Sequence, residues 1–374
     1  MKICFATING SPDYLGGYSL YHKNLIQYIR SNNIDLDISW VYFGNKNRKY
    51  TGSDGVHYFE IKSANINPVA EIMRHLKLFK FFKQHNFDII NSVGGIWTYF
   101  YEKRHTQKII HTYHGTIYYF NKTQLKRFNL IKRIVLSPIL FLSKMLDRPH
   151  SQVDKIICVS DKVKSQVNSL FNNSCNIEVI RTGVDTNTFK PRDRIECRKK
   201  LGLDPNGIYG LYVGGGGYWG KGLDRAVSLS RDISEKIFEN YELLVIGADY
   251  SKVKHLIEFE QSVSYLENIP RELMPLYFSA ADIFFTVSRY EGGAPTMSTS
   301  EAMSSGCIIV CSKDAEQEII KNNINGLIFS DFNNANRIIK ANKYSLVKNS
   351  LKTVSNYTLD KWGKKYLNAL GVKL

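Results

Sequence analysis

Two glutamates, Glu291 and Glu301, stand on either side of a glycine-rich turn that contains Gly292 and Gly293. The apolar, β-rich run at residues 282–287 predicts a buried strand of a parallel sheet, and a helical pattern follows the turn. Open α/β sheets bind ligands outside the carboxyl ends of their strands. The segment therefore predicts a ligand site at such a strand end.

The two carboxylates suggest two kinds of chemistry. A glycosidase uses such a pair as acid and base, or as acid and nucleophile. Here Glu291 precedes the helix and Glu301 lies within it, which favours two contacts along one ligand over groups that flank one bond. Carboxylate oxygens accept hydrogen bonds from hydroxyl groups, so we interpret both as hydroxyl acceptors. A structural alternative for Glu301 is stabilisation of the amino-terminal dipole of its helix.

A second candidate loop runs from Gly214 to Gly222 and carries Lys221. Its glycines let the backbone approach phosphate oxygens, and a helix that begins near Leu223 directs amide groups at them. Lys221 supplies a cation for a diphosphate. A P-loop pattern fits from Gly215 to Lys221, but Gly222 stands where Ser or Thr would hold magnesium.

The same loop leaves two alternatives open. Gly215, Gly217 and Gly220 match a dinucleotide fingerprint, which would suit an NAD-dependent oxidoreductase. No acidic residue is well placed at the end of the next predicted strand, residues 242–246, to hold a ribose. The structural alternative is a flexible loop with an exposed lysine.

The first half of the chain holds another candidate, His114, just after the strand predicted at residues 108–112. It either donates a hydrogen bond to a sugar or phosphate oxygen or carries a proton. Gly16 and Gly17 precede a helical run at residues 18–29 and offer backbone amides to an anion. On residue type alone, structural roles fit these positions equally well.

The elements that must position these residues alternate between short apolar strands and helical stretches. This alternation predicts βαβ units and parallel sheets, hence an α/β fold. A polar segment at residues 185–193 divides the chain, so we predict two Rossmann-like domains that face a central cleft, at residues 1–188 and 189–352. The predicted strands are residues 3–8, 39–43, 88–92, 108–112, 155–159, 177–180, 209–213, 242–246, 282–287 and 307–311.

Length and composition fit two well-buried domains, since 374 residues exceed one ordinary core and 43% of them are hydrophobic. The formal net charge of +16 implies an anionic partner: nucleic acid, an acidic bilayer or phosphorylated ligands. A non-catalytic polyanion-binding protein is therefore a further alternative. The chain carries no aromatic-basic motif for nucleic-acid recognition, which argues against that partner.

Six cysteines without paired CxxC spacing predict reduced, mostly buried thiols of a cytoplasmic protein rather than zinc or redox sites. The first residues are a short strand, unlike the apolar core of a signal peptide. No window approaches the ~20 apolar residues of a membrane span. We therefore expect a soluble or peripheral protein.

Residues 122–148 differ from the rest, because basic residues surround the apolar run 134–142 and Asp147 is the only acid. Basic flanks around a short apolar face are typical of an interfacial helix on an anionic membrane. The alternative is a surface helix packed on its own domain. The basic residues are Lys122, Lys126, Arg127, Lys132, Arg133, Lys144 and Arg148.

Taken in order, segments along nearly the whole chain resemble the family 4 glycosyltransferases with the GT-B fold. The closing NYTLDKWGKKYL is similar to that family's helix that crosses back to the amino-terminal domain, which assigns residues 353–374 to it. The other segments are KIIHTYHGT, VDKIICVSDKVKSQV, IEVIRTGVDTNTFKP, LYVGGGGYWGKGLDRAV, YELLVIGA and ELMPLYFSAADIFFTVSRYEGG, which runs into EAMSSG.

The resemblance implies transfer of a hexose-type sugar from a nucleotide-sugar donor, such as a UDP- or GDP-sugar, to a polysaccharide, lipid-linked or other glycan acceptor. Members of the family usually retain the anomeric configuration and need no metal. By this likeness Lys221 neutralises the leaving diphosphate and Glu301 holds the ribose hydroxyls. Glu291, with the amides of Gly292 and Gly293, holds the transferred hexose.

The same likeness assigns His114 to the sugar and the Gly16–Gly17 turn to the phosphate, with Gly217 in the phosphate loop. The chain departs from the family in having nine residues, instead of seven, between the two glutamates. It also lacks the arginine usual before the loop lysine. Arg289 or Arg225 is the candidate for that second positive charge.

Overall fold

The computed structural model describes residues 1–8, 10–13, 16–63, 68–93, 96–148, 152–171, 176–214, 217–236, 239–247, 249–332, 335–339 and 341–374. The chain divides into two compact units: a first unit of Met1–Arg181 with Asp360–Leu374, and a second unit of Thr182–Leu359. The segment after Arg181 joins the second unit because Val184 exchanges backbone hydrogen bonds with Tyr357 and Leu359, at 2.9 and 2.8 Å.

The first unit is built on an eight-stranded sheet. Its strands are β1 (Lys2–Ala6), β2 (Asp37–Gly44), β3 (Arg48–Thr51), β4 (His57–Lys62), β5 (Ile89–Ser92), β6 (Lys108–Tyr113), β7 (Lys155–Cys158) and β8 (Asn176–Val179). They lie in the order β3-β4-β2-β1-β5-β6-β7-β8. All neighbours are parallel except β3 and β4, which form an antiparallel hairpin. The parallel sheets predicted from the sequence are confirmed, and this hairpin adds β3, a polar, largely exposed edge strand without an apolar pattern.

Helices follow most strands of the first unit. They are α1 (Gly17–Ser31), α2 (Pro68–Gln84), α3 (Ile117–Leu125), α4 (Leu130–Leu136), α5 (Pro138–Asp147) and α6 (Asp161–Phe171), with a 3₁₀ turn at Ile96–Tyr99. Gly17 therefore opens the helix that follows β1, and His114 directly follows β6.

The second unit has a six-stranded parallel sheet. Its strands are β9 (Ile208–Val213), β10 (Tyr241–Gly247), β11 (Val263–Glu267), β12 (Ile283–Thr286), β13 (Ile308–Ser312) and β14 (Leu327–Phe329). The order is β11-β10-β9-β12-β13-β14. The order reverses between β9 and β12, and doubly wound sheets bind ligands at the carboxyl ends of the strands at such a reversal.

Helices cover both faces of this sheet. Successive residues of β10 enter opposite cores: Leu243 and Val245 pack in one cluster, and Leu244 and Ile246 in the other. The helices are α7 (Arg194–Lys200), α8 (Tyr218–Lys221), α9 (Leu223–Lys236), α10 (Lys254–Ile257), α11 (Met274–Ala280), α12 (Met297–Ser305), α13 (Asn336–Ile339) and α14 (Lys343–Val354), with 3₁₀ turns at Tyr250–Lys252, Arg271–Leu273 and Lys313–Ala315.

The chain then returns to the first unit through α15 (Leu359–Leu370), whose buried residues recur at helical spacing. The ring of Trp362 lies 4.8 Å from that of Tyr21. Tyr366 donates to Oδ1 of Asn91 at 3.0 Å, Nδ2 of Asn91 donates to Oγ1 of Thr112 at 3.0 Å, and the Thr112 and Tyr366 hydroxyls lie 2.6 Å apart. This closed, buried network fixes α15 on the first sheet.

Five of the six cysteines can be described, and each is free and buried, as expected. They are Cys4, Cys158, Cys197, Cys307 and Cys311. Cys175 lies outside the described residues. Within the part of the chain that the structure covers, no helix combines the length and the apolar character needed to cross a bilayer.

We expect Tyr366→Phe to lower the free energy of unfolding by about 1–3 kcal/mol, because Asn91 and Thr112 would lose a buried hydrogen-bond partner. Urea denaturation followed by circular dichroism measures this. Tyr344→Phe is the matched control, since Tyr344 is 77% exposed. Equal losses in the two variants would contradict the role given to the network.

Candidate functional site

An ion pair joins the loops that follow β9 and β12. Nζ of Lys221 lies 2.8 Å from Oε1 and 3.0 Å from Oε2 of Glu291. Lys221 is the last residue of the short helix α8. A glycine with a left-handed backbone flanks this helix on each side, Gly217 at φ 64° and Gly222 at φ 77°. The pair therefore lies at the strand end where the sequence predicted a ligand site, and the structure shows that the strand order reverses there. Gly215 and Gly216, in the same loop, lie outside the described residues.

A small pocket of about 40 Å³ opens beside this ion pair. The hydroxyl of Ser288 donates to Oε1 of Glu291. A cation, a carboxylate and several hydroxyls in one pocket can bind a phosphate and a polyol together. The pocket is lined by Tyr212, Val213, Lys221, Phe284, Phe285, Thr286, Ser288, Glu291, Thr296 and Ser298.

The turn after Glu291 depends on two consecutive left-handed glycines, Gly292 at φ 62° and Gly293 at φ 81°. The carbonyl of Gly293 accepts a hydrogen bond from the Glu318 amide at 2.8 Å. Thr296 then caps α12 by accepting from the Thr299 amide at 3.1 Å. The first turn of α12 therefore lies at the pocket, where its amides can face an anion.

Glu301 has a different partner from Glu291. It lies in the middle of α12 with its side chain only 3% exposed, and both its oxygens are bound by the guanidinium of Arg271, with Nη1 at 3.0 Å from Oε2. Arg271 also stacks over the ring of Phe189 at 4.7 Å. The dipole alternative for Glu301 is wrong, since the first turn of α12 contains no acidic residue.

The two arginines considered as a second positive charge are both held by carboxylates. Arg289 binds both oxygens of Asp224, at 2.8 and 2.6 Å, and stacks on the Trp219 ring at 4.5 Å. Its backbone amide donates to the Gly220 carbonyl at 2.8 Å. Arg289 thus fixes the loop that carries Lys221. Arg225 is paired with Asp314 at 2.5 Å.

In the first unit, the structure brings His114 and the turn at Gly16–Gly17 together. The ring of Tyr18, the residue after Gly17, lies 4.9 Å from that of His114, and Tyr21 lies 4.4 Å from it. A Cβ added at Gly17 would meet nothing within 4 Å, so there is open space beside this turn.

The chemistry of His114 is set by its surroundings. Burial, followed by the nearby His22, lowers the pKa of His114 to about 3. The imidazole is therefore neutral at physiological pH. This favours a hydrogen bond over proton transport, the two roles that the sequence left open.

Several residues of this site were not predicted from the sequence. Arg271 lies thirty positions before Glu301, and no local pattern joins them. Asp224 lies 65 positions before Arg289. The pocket hydroxyls of Ser288, Thr296 and Ser298 lie within the SRYEGGAPTMSTS segment, whose density of Ser and Thr around a turn was an available signal.

The expectation that no acidic residue is well placed after the strand at residues 242–246 is wrong. Asp249 stands two positions after the end of β10 and lines a second pocket of about 40 Å³ with Gly214 and Gly217. Its carboxylate accepts from Lys252 at 2.8 Å and from Ser251 at 2.5 Å. An acid is thus present where a dinucleotide-binding fold would use one. Among the residues whose placement is known, no cluster of three or more His, Cys, Asp or Glu could hold a metal ion.

Two family models match the chain. The model described as glycosyl transferases group 1 matches residues 193–356, and the model described as glycosyltransferase family 4 matches residues 15–188. The candidate residues of each unit lie inside the corresponding match. No curated protein sequence matches the chain.

Solved structures match over the full length at low identity. Sucrose-phosphate synthase from Thermosynechococcus elongatus is 17% identical with a TM-score of 0.79, over 98% of this chain and 97% of that one. HepE from Anabaena, in complex with UDP and glucose, is 15% identical with a TM-score of 0.67, over 99% of both chains. A glycosyltransferase from Rickettsia africae is 16% identical with a TM-score of 0.65, over 99% and 98%. The predicted GT-B class is confirmed.

The close approach at Gly222 gives a testable consequence. A Cβ there would lie 2.1 Å from the carbonyl oxygen of Val287, whereas a Cβ at Gly202, which has a similar φ of 70°, would meet nothing within 4 Å. Gly222→Ala should therefore lose about 1–3 kcal/mol more unfolding free energy than Gly202→Ala, because it overpacks a filled position. Equal losses in urea denaturation would contradict the crowding.

For His114, we expect no protonation between pH 5 and 8, because its pKa of about 3 lies well below the ordinary value near 6.5. NMR of the protein labelled in its histidine rings measures this. The variant His114→Gln assigns the His114 signal by its loss. A signal that titrates in this range and disappears in the variant would show that the ring takes up a proton.

Proposed function

This chain belongs to the family 4 glycosyltransferases, and on that premise we propose that it transfers a hexose-type sugar from a nucleotide-sugar donor to a glycan acceptor, with retention of configuration. The ion pair between Lys221 and Glu291 carries the proposal. The ammonium of Lys221 lies beside the Glu291 carboxylate at the strand-order reversal of the second unit, and we propose the first for a diphosphate and the second for sugar hydroxyls.

Lys221 is proposed to bind the donor diphosphate and to stabilise it as it leaves. The lysine side chain is 45% exposed, so a diphosphate can reach it, whereas the Glu291 side chain is only 10% exposed. For a diphosphate to replace Glu291 as the partner of Lys221, other hydrogen-bond donors must take the place of the lysine at the Glu291 carboxylate. The departing nucleoside diphosphate gains negative charge, and a cation already in position lowers the barrier. Gly217 and the amides that follow it add neutral donors.

Glu291 is proposed to hold the transferred hexose. Once Lys221 turns to phosphate, the carboxylate oxygens of Glu291 can accept from sugar hydroxyls, with Ser288 keeping the side chain in place. The left-handed turn at Gly292 and Gly293 follows directly, and we propose that its backbone amides contact the same sugar. This arrangement binds and orients the sugar without using Glu291 as an acid.

Glu301 is proposed to accept hydrogen bonds from the ribose. Its buried, two-pronged pair with Arg271 holds the carboxylate in one orientation. An ionised carboxylate offers about four acceptor positions, so two remain for the ribose hydroxyls. For His114 we propose a hydrogen bond from the neutral ring to a sugar hydroxyl, and for the amides of Gly16 and Gly17 a contact with an anionic group.

The donor, the metal requirement and the place of the reaction are proposed from other observations. The complex of the similar Anabaena protein with UDP and glucose makes UDP-glucose the first donor to test, ahead of a GDP-sugar. We propose a reaction without a metal, in which Lys221 and nearby backbone amides offset part of the negative charge of the diphosphate. Free, buried cysteines suit the cytoplasm. We propose that a polysaccharide or lipid-linked acceptor is met there, at the inner face of the membrane.

NAD-dependent oxidoreduction is a second candidate, favoured only by Asp249 beside Gly214 and Gly217. Lys252 and Ser251 already bind the Asp249 carboxylate, so a ribose would have to compete with them. Quenching of protein fluorescence by NADH separates the two functions. Saturable NADH binding without nucleotide-sugar binding would favour the oxidoreductase.

The decisive test is a donor screen that follows nucleotide release with wild type and Lys221→Met. We expect release from one nucleotide sugar, and a loss of about a hundredfold or more in kcat for the variant, because Lys221 acts on the charge of the leaving group. Lys199→Met is the matched control, since Lys199 also pairs with a glutamate, at 3.2 Å, but on the exposed surface of α7. No release from any donor, or equal rates in the two variants, would overturn the proposed function.

A further inference from the structure

In the part of the chain that the structure describes, nothing buries the apolar residues of helix α4. Five of its seven residues are apolar, yet none of the seven is buried. Leu130, Ile131, Ile134 and Val135 are between 65% and 74% exposed. A surface helix normally turns its apolar face to its own core. A short helix of this kind is also only marginally stable in water by itself. We therefore expect its exposed apolar face to be covered by another molecule.

The apolar and basic residues of α4 occupy different sides. With about 100° between successive residues, the four exposed apolar side chains span an arc of about 140°, and Lys132 and Arg133 fall on the remaining surface. Helix α5 continues the surface, since Phe141 is 72% exposed and Met145 follows it one turn later. We call the exposed apolar residues of these two helices the α4–α5 surface: Leu130, Ile131, Ile134, Val135, Phe141 and Met145.

The charge around this surface has a single sign. Residues 117–148 contain seven basic side chains, all of them exposed. The one acid, Asp147, is buried and accepts from the amides of Ile117 and Tyr118, at 2.9 and 2.8 Å. The charged side chains that residues 117–148 expose are therefore all basic. The surface is therefore apolar with a basic surround.

Hydrogen bonds and packing hold the α4–α5 surface on the first unit. Helix α5 is tied to α3 by Asp147 and by the hydrogen bond from Nδ2 of Asn121 to Oγ of Ser143, at 2.8 Å. Leu146 is buried beneath them. Helix α4 joins α5 through Ser137, directly before Pro138 at the first position of α5. The exposed groups therefore project from a folded support.

We propose that the α4–α5 surface docks the enzyme on an anionic lipid bilayer. Apolar side chains that enter the acyl boundary and basic residues at the headgroups are the two contributions that hold peripheral helices on membranes. A second copy of the chain fits less well, because a self-complementary interface would set seven cations against seven others. The inference deepens the proposed setting of the reaction at the membrane face, but it does not depend on the transfer activity.

Co-sedimentation of the full chain with vesicles tests the proposal. We expect binding to vesicles of equal parts phosphatidylcholine and phosphatidylglycerol, weakened by salt, and little binding to phosphatidylcholine alone. The double variant Ile134→Ser with Phe141→Ser should have a vesicle partition coefficient at least about tenfold below that of wild type. Removing even one large apolar side chain from the bilayer accounts for a factor of about ten. The variant Lys126→Gln with Lys132→Gln should lose binding only to the anionic vesicles.

Matched controls lie on the second unit. Phe259 is 89% exposed, so Phe259→Ser removes an equally accessible aromatic ring, and Lys321→Gln with Lys348→Gln removes the same charge. These should partition like wild type. Nucleotide binding is measured for every variant. A variant that still binds nucleotide is folded, so its loss of vesicle binding reports on docking and not on the donor site.

Three results would overturn the proposal. The first is unchanged partitioning of both variants, and the second is no binding of wild type to either kind of vesicle. The third is a dimer, seen by light scattering, that becomes a monomer in the Ile134→Ser, Phe141→Ser variant while vesicle binding stays the same. That result would assign the surface to contact between copies of the chain.

Discussion

The contact between Lys221 and Glu291 depends on the strand order of the second unit. Because β9 and β12 are neighbours in space but far apart in sequence, their following loops leave the sheet side by side, and opposite charges at their tips meet at 2.8 Å. A helix start, a pair of left-handed glycines and several hydroxyls then surround one small pocket. The chemistry proposed for this enzyme needs all of these groups within reach of one ligand, and only the reversal of strand order supplies that proximity.

The pocket is kept in shape by charged groups that do not line it. Arg289 holds the lysine loop through Asp224 and Trp219, and Arg271 holds Glu301. Of these three pairs, the one between Lys221 and Glu291 has the most exposed partner, the lysine at 45%, against 33% for Asp224 and 27% for Arg271. The two arginines hold their carboxylates through two hydrogen bonds in a fixed plane, which favours a rigid support, whereas the lysine end of the third pair is accessible to a ligand.

Sequence reasoning recovered what local patterns encode. Apolar runs bounded by turns predicted the ten strands that were named, and the glycines around Lys221 marked the loop after β9. The hairpin β3–β4 and the edge strands β11 and β14 were missed, because short or polar strands lack that pattern. The pairs of Arg271 with Glu301 and of Arg289 with Asp224 could not be predicted, since tertiary folding alone joins them. The basic segment was anticipated as one interfacial helix, but the structure divides it at Ser137 and Pro138.

The return of α15 to the first unit has a consequence for how the protein is made. Asn91 and Thr112 are synthesised early, yet their partner Tyr366 emerges from the ribosome only after the entire second unit. The amino-terminal unit therefore cannot complete its core during its own translation. The surface on which Trp362 and Tyr366 pack is covered only after the whole second unit has been made.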